Sequence, residues 1–443
     1  MKNIRVALVS LGCAKNLVDS EIMLSHLQAE DFILVAKPED ADAIIVNTCG
    51  FIDTAKEESI EKILEMASFK QKDCRVLLAA GCLAQRFGVE LLAEITELDG
   101  IFGINDVYGA AEAIRRGFAG ERPVLLQGEY RPPEDASRLL ATPSHTAYLK
   151  IAEGCNNNCT YCAIPVIRGP YRSRDCQVIV AEAKKLAAGG VKEINLIAQD
   201  ITLFGLERSG QLELPALLQQ LSAIPGLHWI RLLYAYPERI SQQIIESVAR
   251  LDKVCNYLDL PFQHGSDRIL RRMGRKTTVK KNMMLLNSLR EQIPGITLRS
   301  SFIVGFPGEE EADFQALLDF LQEARLERVG FFAYSREVGT PAARFHNQVS
   351  DELKEERVAR AVSLQSRIMA EKQKLLVGQT VQAMIDGRSA QDKGLLLARS
   401  SMQAPEVDGY IRIRDNNAKN GELVRVEITG FEGCDQLGKI LIS

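Results

Sequence analysis

Nothing in this 443-residue sequence approaches the run of about 18 apolar residues that a membrane-spanning helix requires. The opening MKNIRVALVSLGC has too short an apolar segment for a secretory leader, so the expectation is a cytoplasmic protein with no membrane partner. An excess of positive charge is also missing. With 54 Lys and Arg against 58 Asp and Glu, the formal net charge is −4 and the pI is near 5.9. Strong nonspecific nucleic-acid binding, which lives on neutralising phosphates, is therefore disfavoured outside a local patch. Disordered or fibrous composition is absent as well: 46% hydrophobic and 25% charged residues suit a globular protein with sizeable buried cores. At roughly 150 residues per domain, the length predicts about three domains.

Cysteine, by contrast, is plentiful. Ten of them in a reducing compartment argue against a disulfide framework and for metal ligation by some. The densest stretch, AYLKIAEGCNNNCTYCAIPVIRGPYRSR over 147–174, places Cys155, Cys159 and Cys162 on one loop directly after an apolar strand. This C-x3-C-x2-C spacing is one ligand short of a closed zinc site, and no second cysteine pair follows within the next ninety residues. A four-iron cluster tolerates the deficit: three irons take thiolate, the fourth stays open, and soft ligands favour iron–sulfur over hard cations. Zinc and a purely structural cluster are the competing readings. The spacing, with Tyr161 before the last cysteine, resembles the signature of radical S-adenosylmethionine (SAM) enzymes, in which the open iron chelates the methionine part of SAM.

Residues 1–121 alternate short β-branched runs with amphipathic segments, the pattern of a parallel sheet covered by helices. Strands are predicted over 6–11, 43–47 and 75–80, and each runs into a cysteine: Cys13 in SLGCAKN, Cys49 in VNTCGF, Cys82 in AAGCLAQ. The carboxyl ends of parallel strands share one edge, where ligands bind, so a second three-cysteine cluster is expected there. The bland reading of each, a small buried hydrophobe, is the one preferred for Cys74. Gly12, Gly50 and Gly81 beside them are expected to let backbone approach a bulky ligand. Residues 51–69 read as a core-facing helix through Ile52, Ala55, Ile60, Ile63 and Leu64. Residues 122–144, with four prolines and no periodicity, read as a linker.

Over 145–377, six strand-then-helix units, with strands at 147–152, 193–198, 228–236, 257–262, 297–304 and 328–334, suit an open barrel rather than a closed eightfold one. The cluster loop falls on its C-terminal face, where barrel enzymes build active sites. Candidate SAM contacts follow from the loops: Gln199 or Asp200 for the ammonium, Arg299 for the carboxylate, Gln263 for the ribose, and backbone near Ala333 and Tyr334 for the adenine. Each competes with a helix-cap or turn role. The GFPGE segment at 305–309 departs from the glycine-isoleucine-glycine pattern often described after the fifth strand of radical SAM enzymes. His264 reads as a hydrogen-bonded structural residue ahead of a proton relay. The basic run Arg268, Arg271, Arg272, Arg275 and Lys276 is either a solvated helix face or a macromolecule-docking surface. Arg168, Arg172 and Arg174 are expected at the pocket mouth, favouring substrate contact. Cys176, Cys255 and Cys434 have no partner at ligand spacing. A long amphipathic helix begins at Ser350 and buries Val358, Ala361, Leu364, Ile368 and Leu375. Residues 378–443 read as a small antiparallel barrel of about five strands, whose eight Lys and Arg against nine Asp and Glu leave no positive field for RNA.

Three such parts in this order resemble the methylthiotransferase family of radical SAM enzymes, an α/β multidomain layout: an N-terminal domain with an auxiliary cluster, a radical SAM core, and a C-terminal TRAM domain. The cluster loop, the three strand-end cysteines, LDLPFQHGS and SFIVGFPGE carry the resemblance. Within the family, CGFIDTAKEES and KIAEGCNNNCTYCAIPVIRGPYRSR are most similar to members that methylthiolate the β-carbon of an aspartate in small-subunit ribosomal protein twelve. The resemblance implies SAM and two [4Fe-4S] clusters. Cys155, Cys159 and Cys162 would hold the cluster that cleaves SAM to a 5′-deoxyadenosyl radical. Cys13, Cys49 and Cys82 would hold the auxiliary cluster that carries the sulfur, and a second SAM would supply the methyl group. It implies as partners the ribosome or its protein, a low-potential electron donor and a sulfur donor. The nearest rival is a tRNA adenosine methylthiotransferase; a rival of another class is a non-catalytic iron–sulfur or RNA-binding protein.

Overall fold

The computed structural model describes residues 4–128, 138–414 and 417–441. Apolar runs such as AIIVN and VLLAA become central strands because neither face of a covered parallel sheet meets water. In chain order the first domain has β1 (Arg5–Ser10), α1 (Ala14–Ala29), β2 (Ile33–Leu34), β3 (Ala43–Thr48), α2 (Asp53–Ala67), β4 (Val76–Ala80), α3 (Gly81–Glu94), β5 (Gly100–Phe102), α4 (Ala110–Phe118) and β6 (Val124–Leu125). Its sheet is parallel, in the order β2-β1-β3-β4-β5-β6, so the three strands that run into cysteines are immediate neighbours. Helices α1 and α4 cover one face, α2 and α3 the other. In α2 the buried stripe is Ser59, Ile63 and Met66; the expected Ile60 and Leu64 lie one row outward and are 37% and 51% exposed. Strand β6 extends this sheet into the segment read as linker, because Val124 and Leu125 continue the parallel ladder beside β5. Residues 129–137 of that linker lie outside the described residues.

The central domain continues with β7 (Thr146–Lys150), β8 (Ala152–Glu153), α5 (Ile164–Arg168), β9 (Arg172–Ser173), α6 (Cys176–Ala188), β10 (Glu193–Ile197), α7 (Leu206–Ser209), α8 (Leu214–Ser222), β11 (Trp229–Leu232), α9 (Gln242–Arg250), β12 (Val254–Asp259), α10 (Asp267–Arg272), α11 (Val279–Gln292), β13 (Thr297–Val304), α12 (Glu311–Ala324) and β14 (Arg328–Ala333). Six of these strands form one parallel sheet, β14-β13-β12-β11-β10-β7, the open sixfold arrangement read from the sequence. Alternation sorts its side chains. Leu149, Leu196, Ile230 and Leu258 point to the helix-covered side. Tyr148, Ile197, Trp229, Leu233 and Tyr257 point to the concave side and share a core with Val18, Ile22 and Met23 of α1. The open barrel is thus filled from the first domain, with large side chains each worth about 1.5–3 kcal/mol on burial.

Ser350 caps α13 (Asp351–Lys374), accepting from the Leu353 amide. Ala361, Leu364 and Ile368 are buried along it, whereas Leu375 lies past its end and is exposed. The last domain comprises β15 (Thr380–Arg388), β16 (Leu396–Ser400), β17 (Ile411–Ile413), β18 (Leu423–Glu432) and β19 (Asp435–Ile440), closed in the order β15-β16-β17-β19-β18. The expected all-antiparallel barrel is corrected at one pairing, β17 with β19, which is parallel; a closed ring of an odd number of strands cannot alternate direction at every step. Buried charge locks this barrel to the central sheet. Glu193 accepts from Arg231 Nη2 at 3.0 Å and from Arg399 Nη2 at 2.7 Å. Burial alone would raise the Glu193 pKa, but the two guanidiniums outweigh it and hold it near 2.

Candidate active site between the first domain and the barrel

The three-cysteine loop leaves β8 at Gly154, whose positive φ of 77° and close approach to Pro170 O, 2.1 Å from where a Cβ would stand, require glycine. The chain then folds back on itself, with the Cys155 amide donating to Gly169 O at 3.1 Å. Thr160 anchors its middle: its amide donates to Met273 O and its hydroxyl to Arg272 O. Cys155 Sγ accepts from the Asn157 amide at 3.4 Å, and Cys159 Sγ lies 3.8 Å from the Tyr236 hydroxyl. Burial pushes the Cys155 thiol up to about 11 and the Cys162 thiol further, with neighbouring Cys159 adding to both. Thiols of this kind stay protonated until a metal displaces the proton.

The first-domain cysteines leave three adjacent strands. Cys13 is the N-cap of α1, Cys49 follows β3, and Cys82 is the second residue of α3. They share one neighbourhood: a Cβ on Gly12 would stand 3.0 Å from Cys49 Sγ, and burial followed by the charges of Cys82 and Cys13 raises the Cys49 thiol to about 11. Burial also raises Cys82, against the pull of Arg168. Cys13 goes the other way, because Lys15 and Arg168 outweigh its burial. Gly50 and Gly81 make room for neighbouring chain: a Cβ on Gly81 would meet Asn47 Oδ1 at 2.3 Å, and one on Gly50 the Leu83 Cα at 2.7 Å.

Among the described residues no group of three or more His, Cys, Asp or Glu converges as ligands of one ion would. A four-iron cube takes thiolates at separate corners, and each three-cysteine set offers only soft donors, which fits such a cube and not a hard cation. Cys74 is packed in the core with its thiol against Val76 O, and Cys255 is buried under the concave face.

Between the two sets lies a buried charge network absent from the sequence reading. Arg168, expected at the pocket mouth, is 2% exposed. Its Nη1 donates to Glu153 Oε2 at 2.9 Å and Asp19 Oδ2 at 3.2 Å, and its Nη2 to Cys82 Sγ at 3.4 Å. Lys150 pairs with the same two carboxylates. Burial would raise the Glu153 pKa, but Arg168 and Lys150 drive it well below the carboxylate range. A second pin joins α2 and α3 to the segment after β14, where Glu337 receives Arg86 Nη1 at 2.6 Å and Lys56 Nζ at 3.1 Å. The only sequence signal for the first network was charge inside apolar segments, at Lys150 and Glu153.

The structure rearranges the expected SAM contacts. Gln199 Nε2 donates to Glu153 Oε1 at 2.8 Å while its buried Oε1 has no partner. Asp200 is consumed as a cap and anchor, accepting from the Thr202 amide, Asn157 Nδ2 and Arg239 Nη1. Arg299 faces the concave side with Nη1 on Asp259 at 2.9 Å and Nε by Asp408 of the last domain at 3.4 Å, so it is not free for a ligand carboxylate. Gln263 sits half-buried at φ +73° with its backbone bridging to β13. Tyr334 donates its amide to Val304 O and packs edge-on against Phe306 at 5.4 Å, beside Tyr161 of the loop, while Ala333 next to it is exposed. His264 is structural: Nδ1 accepts from the Ser266 amide and Nε2 meets Glu309 at 3.1 Å. In the basic run Arg275 is buried and bidentate on Glu238, Arg272 donates to Pro307 O and Arg268 pairs with Asp313, while Arg271 and Lys276 are exposed. Arg174 is likewise internal, on Lys150 O and Glu182, and Arg172 donates to Arg168 O.

Residues 149–321 match the radical SAM superfamily, residues 5–103 the family described as "Uncharacterized protein family UPF0004", and residues 377–441 the TRAM domain. Among solved structures, the radical S-adenosylmethionine methyltransferase TsrM from Kitasatospora setae shares the fold at a TM-score of 0.57 and 14% identity, covering 77% of this chain and 74% of that one. The cobalamin-dependent enzyme OxsB superposes at 0.53 and 13%, covering 83% and 56%. Fold, cysteine loop and superfamily match together define a radical SAM enzyme, a class that uses SAM and an iron–sulfur cluster. The ribosomal protein uS12 methylthiotransferase RimO of Geobacter sulfurreducens is 47% identical over 442 residues, 99% of this chain and 98% of that protein; that of Clostridium botulinum is 46% identical over 443 residues, 99% of each. The chain belongs to the RimO family of ribosomal protein uS12 methylthiotransferases.

Proposed function

We propose that this chain adds a methylthio group to the β-carbon of an aspartate of ribosomal protein uS12, using SAM and two [4Fe-4S] clusters. The observation that carries it is the contact of Arg168, at the end of the helix α5 that follows the radical SAM cysteine loop, with Cys82 Sγ at 3.4 Å: the segment after one three-cysteine set reaches into the other. Cys155, Cys159 and Cys162 hold one cluster; Cys13, Cys49 and Cys82 hold the other. When bound, these groups supply one-electron cleavage of SAM, hydrogen abstraction from an unactivated carbon, and the sulfur to be delivered.

The chain's own residues orient and exclude water. Arg168, Lys150, Asp19 and Glu153 fix the distance between the two cysteine sets with charges that are all buried. Tyr236, with Arg275 stacked 3.9 Å over its ring, lies against Cys159 and shields that side of the loop. Gln199 Oε1, unpartnered, accepts a donor from bound SAM, and Ala333 offers backbone to its adenine edge. A low-potential electron donor, a sulfur donor and a cytoplasmic setting complete the reading, with domain limits near residues 121, 145 and 378.

The test is product analysis. The anaerobically reconstituted protein, with SAM and a reductant, is incubated with ribosomes and separately with tRNA. A methylthio mass gain on uS12 alone is expected; a gain on tRNA adenosine instead overturns the substrate assignment.

A further inference from the structure

Lys15 is the second residue of α1, two positions after Cys13. It is 7% exposed, and among the described residues no carboxylate lies within ion-pairing reach of its ammonium. Its ammonium lies over the ring of Tyr234, whose centroid is 3.1 Å from Nζ, with the Cys13 sulfur beside it and the carboxylates of Asp259 and Glu153 beyond ion-pairing reach. Nearby cations are treated differently: buried Lys150 and Arg168 pair with Asp19 and Glu153, and half-buried Arg299 with Asp259. A buried ammonium without a carboxylate partner is costly to folding, and a cation–π contact and a neighbouring sulfur offset only part of that cost.

The ammonium is not sealed in a core. Gly12 and Cys13 are solvent-accessible, so Lys15 lies just behind an exposed stretch of chain at the first auxiliary cysteine. Tyr234 is held there at a φ of +64°, unusual for a bulky residue, by its amide on Asp259 Oδ2 at 3.1 Å. The geometry keeps a cation ready at the spot where the first domain's sulfur ligands face the barrel.

We infer that Lys15 binds the side-chain carboxylate of the substrate aspartate and so selects it over neutral side chains. The inference rests on the proposed function. A bound carboxylate supplies the oxyanion partner that Lys15 lacks, whereas an asparagine or a nucleobase leaves the ammonium without one, which a buried site penalises heavily. The other carboxylate that enters such a site is that of SAM. The position beside Cys13 rather than on the loop of Cys155 favours the substrate.

The test uses the full-length, cluster-loaded protein under anaerobic conditions. The probes are a synthetic uS12 peptide containing the target aspartate, the same peptide with asparagine, and SAM. Lys15→Met is expected to weaken the aspartate peptide by about tenfold to a hundredfold, leaving the asparagine peptide and SAM unchanged. Lys15→Arg should restore part of the preference. The metal-free Lys15→Met protein should melt at the same temperature or higher, since a buried charge with no carboxylate partner is gone.

An unchanged aspartate-to-asparagine ratio in Lys15→Met overturns the inference. So does weakened SAM binding with the peptide ratio intact, which assigns the ammonium to the SAM carboxylate, and so does a lowered melting temperature with both peptides lost, which makes Lys15 structural. Product formation by the wild type on ribosomes is scored separately. Its absence sinks the proposed function, whereas wild-type binding with no aspartate preference sinks this inference alone.

Discussion

Removing the Arg168 guanidinium should separate the two cysteine sets before it disturbs either domain. In the native network two cations, Arg168 and Lys150, face two carboxylates, Asp19 and Glu153. Arg168→Met leaves the carboxylates sharing Lys150 alone, and breaking a buried pair in this way costs about 3–5 kcal/mol. Asp19→Asn by itself leaves an excess cation and should also destabilise. Combining the two restores a one-to-one pair of Lys150 with Glu153, so the double variant should recover on the order of 1–2 kcal/mol relative to the sum of the singles. The single tryptophan of the chain is a natural reporter, because Trp229 lies in the core shared by α1, the concave sheet face and Met384 and Ala404 of the last domain. Denaturant unfolding of the metal-free protein followed by its fluorescence gives all four corners of the cycle. Additive singles, or an Arg168→Met variant within about 0.5 kcal/mol of wild type, would refute the network as a contributor to the joining of the domains.

Two further predictions follow from the site and its supports. Cys155→Ala, Cys159→Ala or Cys162→Ala should abolish 5′-deoxyadenosine formation, whereas Cys13→Ala, Cys49→Ala or Cys82→Ala should spare it but stop methylthiolation; a Cys82→Ala protein that still modifies uS12 would disprove the auxiliary role. Acid stability should carry a signature of Asp313, where burial works upward but Arg268, the Glu310 amide and Ser266 bring the carboxyl from 3.8 down to about 2. Because the folded-state value is the lower one, its contribution of about 2 kcal/mol is complete above about pH 4 and lost as pH falls toward 2. Unfolding free energies of wild type and Asp313→Asn should therefore converge across that window, and parallel curves would contradict the assignment.

The elements were legible because they obey local rules. Short apolar, β-branched runs marked the strands of the first two domains, alternating runs divided by Gly, Asp and Asn those of the last, and Ser350 followed by Asp351 and Glu352 marked the start of α13 as a cap with acidic first turn. The cluster loop was readable because three ligands fall within eight residues, where spacing alone constrains geometry. The three first-domain cysteines needed one inference more, that parallel strands share an edge, and the strand order β1-β3-β4 bears out that adjacency.

What the sequence alone determined is the set of local structures and the chemistry of the cysteine donors, because periodicity, caps and ligand spacing act over a few residues. Which charges neutralise one another was decided only by tertiary structure. Arg168 reads as a surface residue until α1 brings Asp19 within 3.2 Å of it, and Arg299 reads as a ligand arm until Asp259 and Asp408 close on it. Pairing between residues more than a hundred positions apart depends on how domains dock, and Coulomb energy in a dry interface is large enough to claim side chains that a linear reading assigns to ligands.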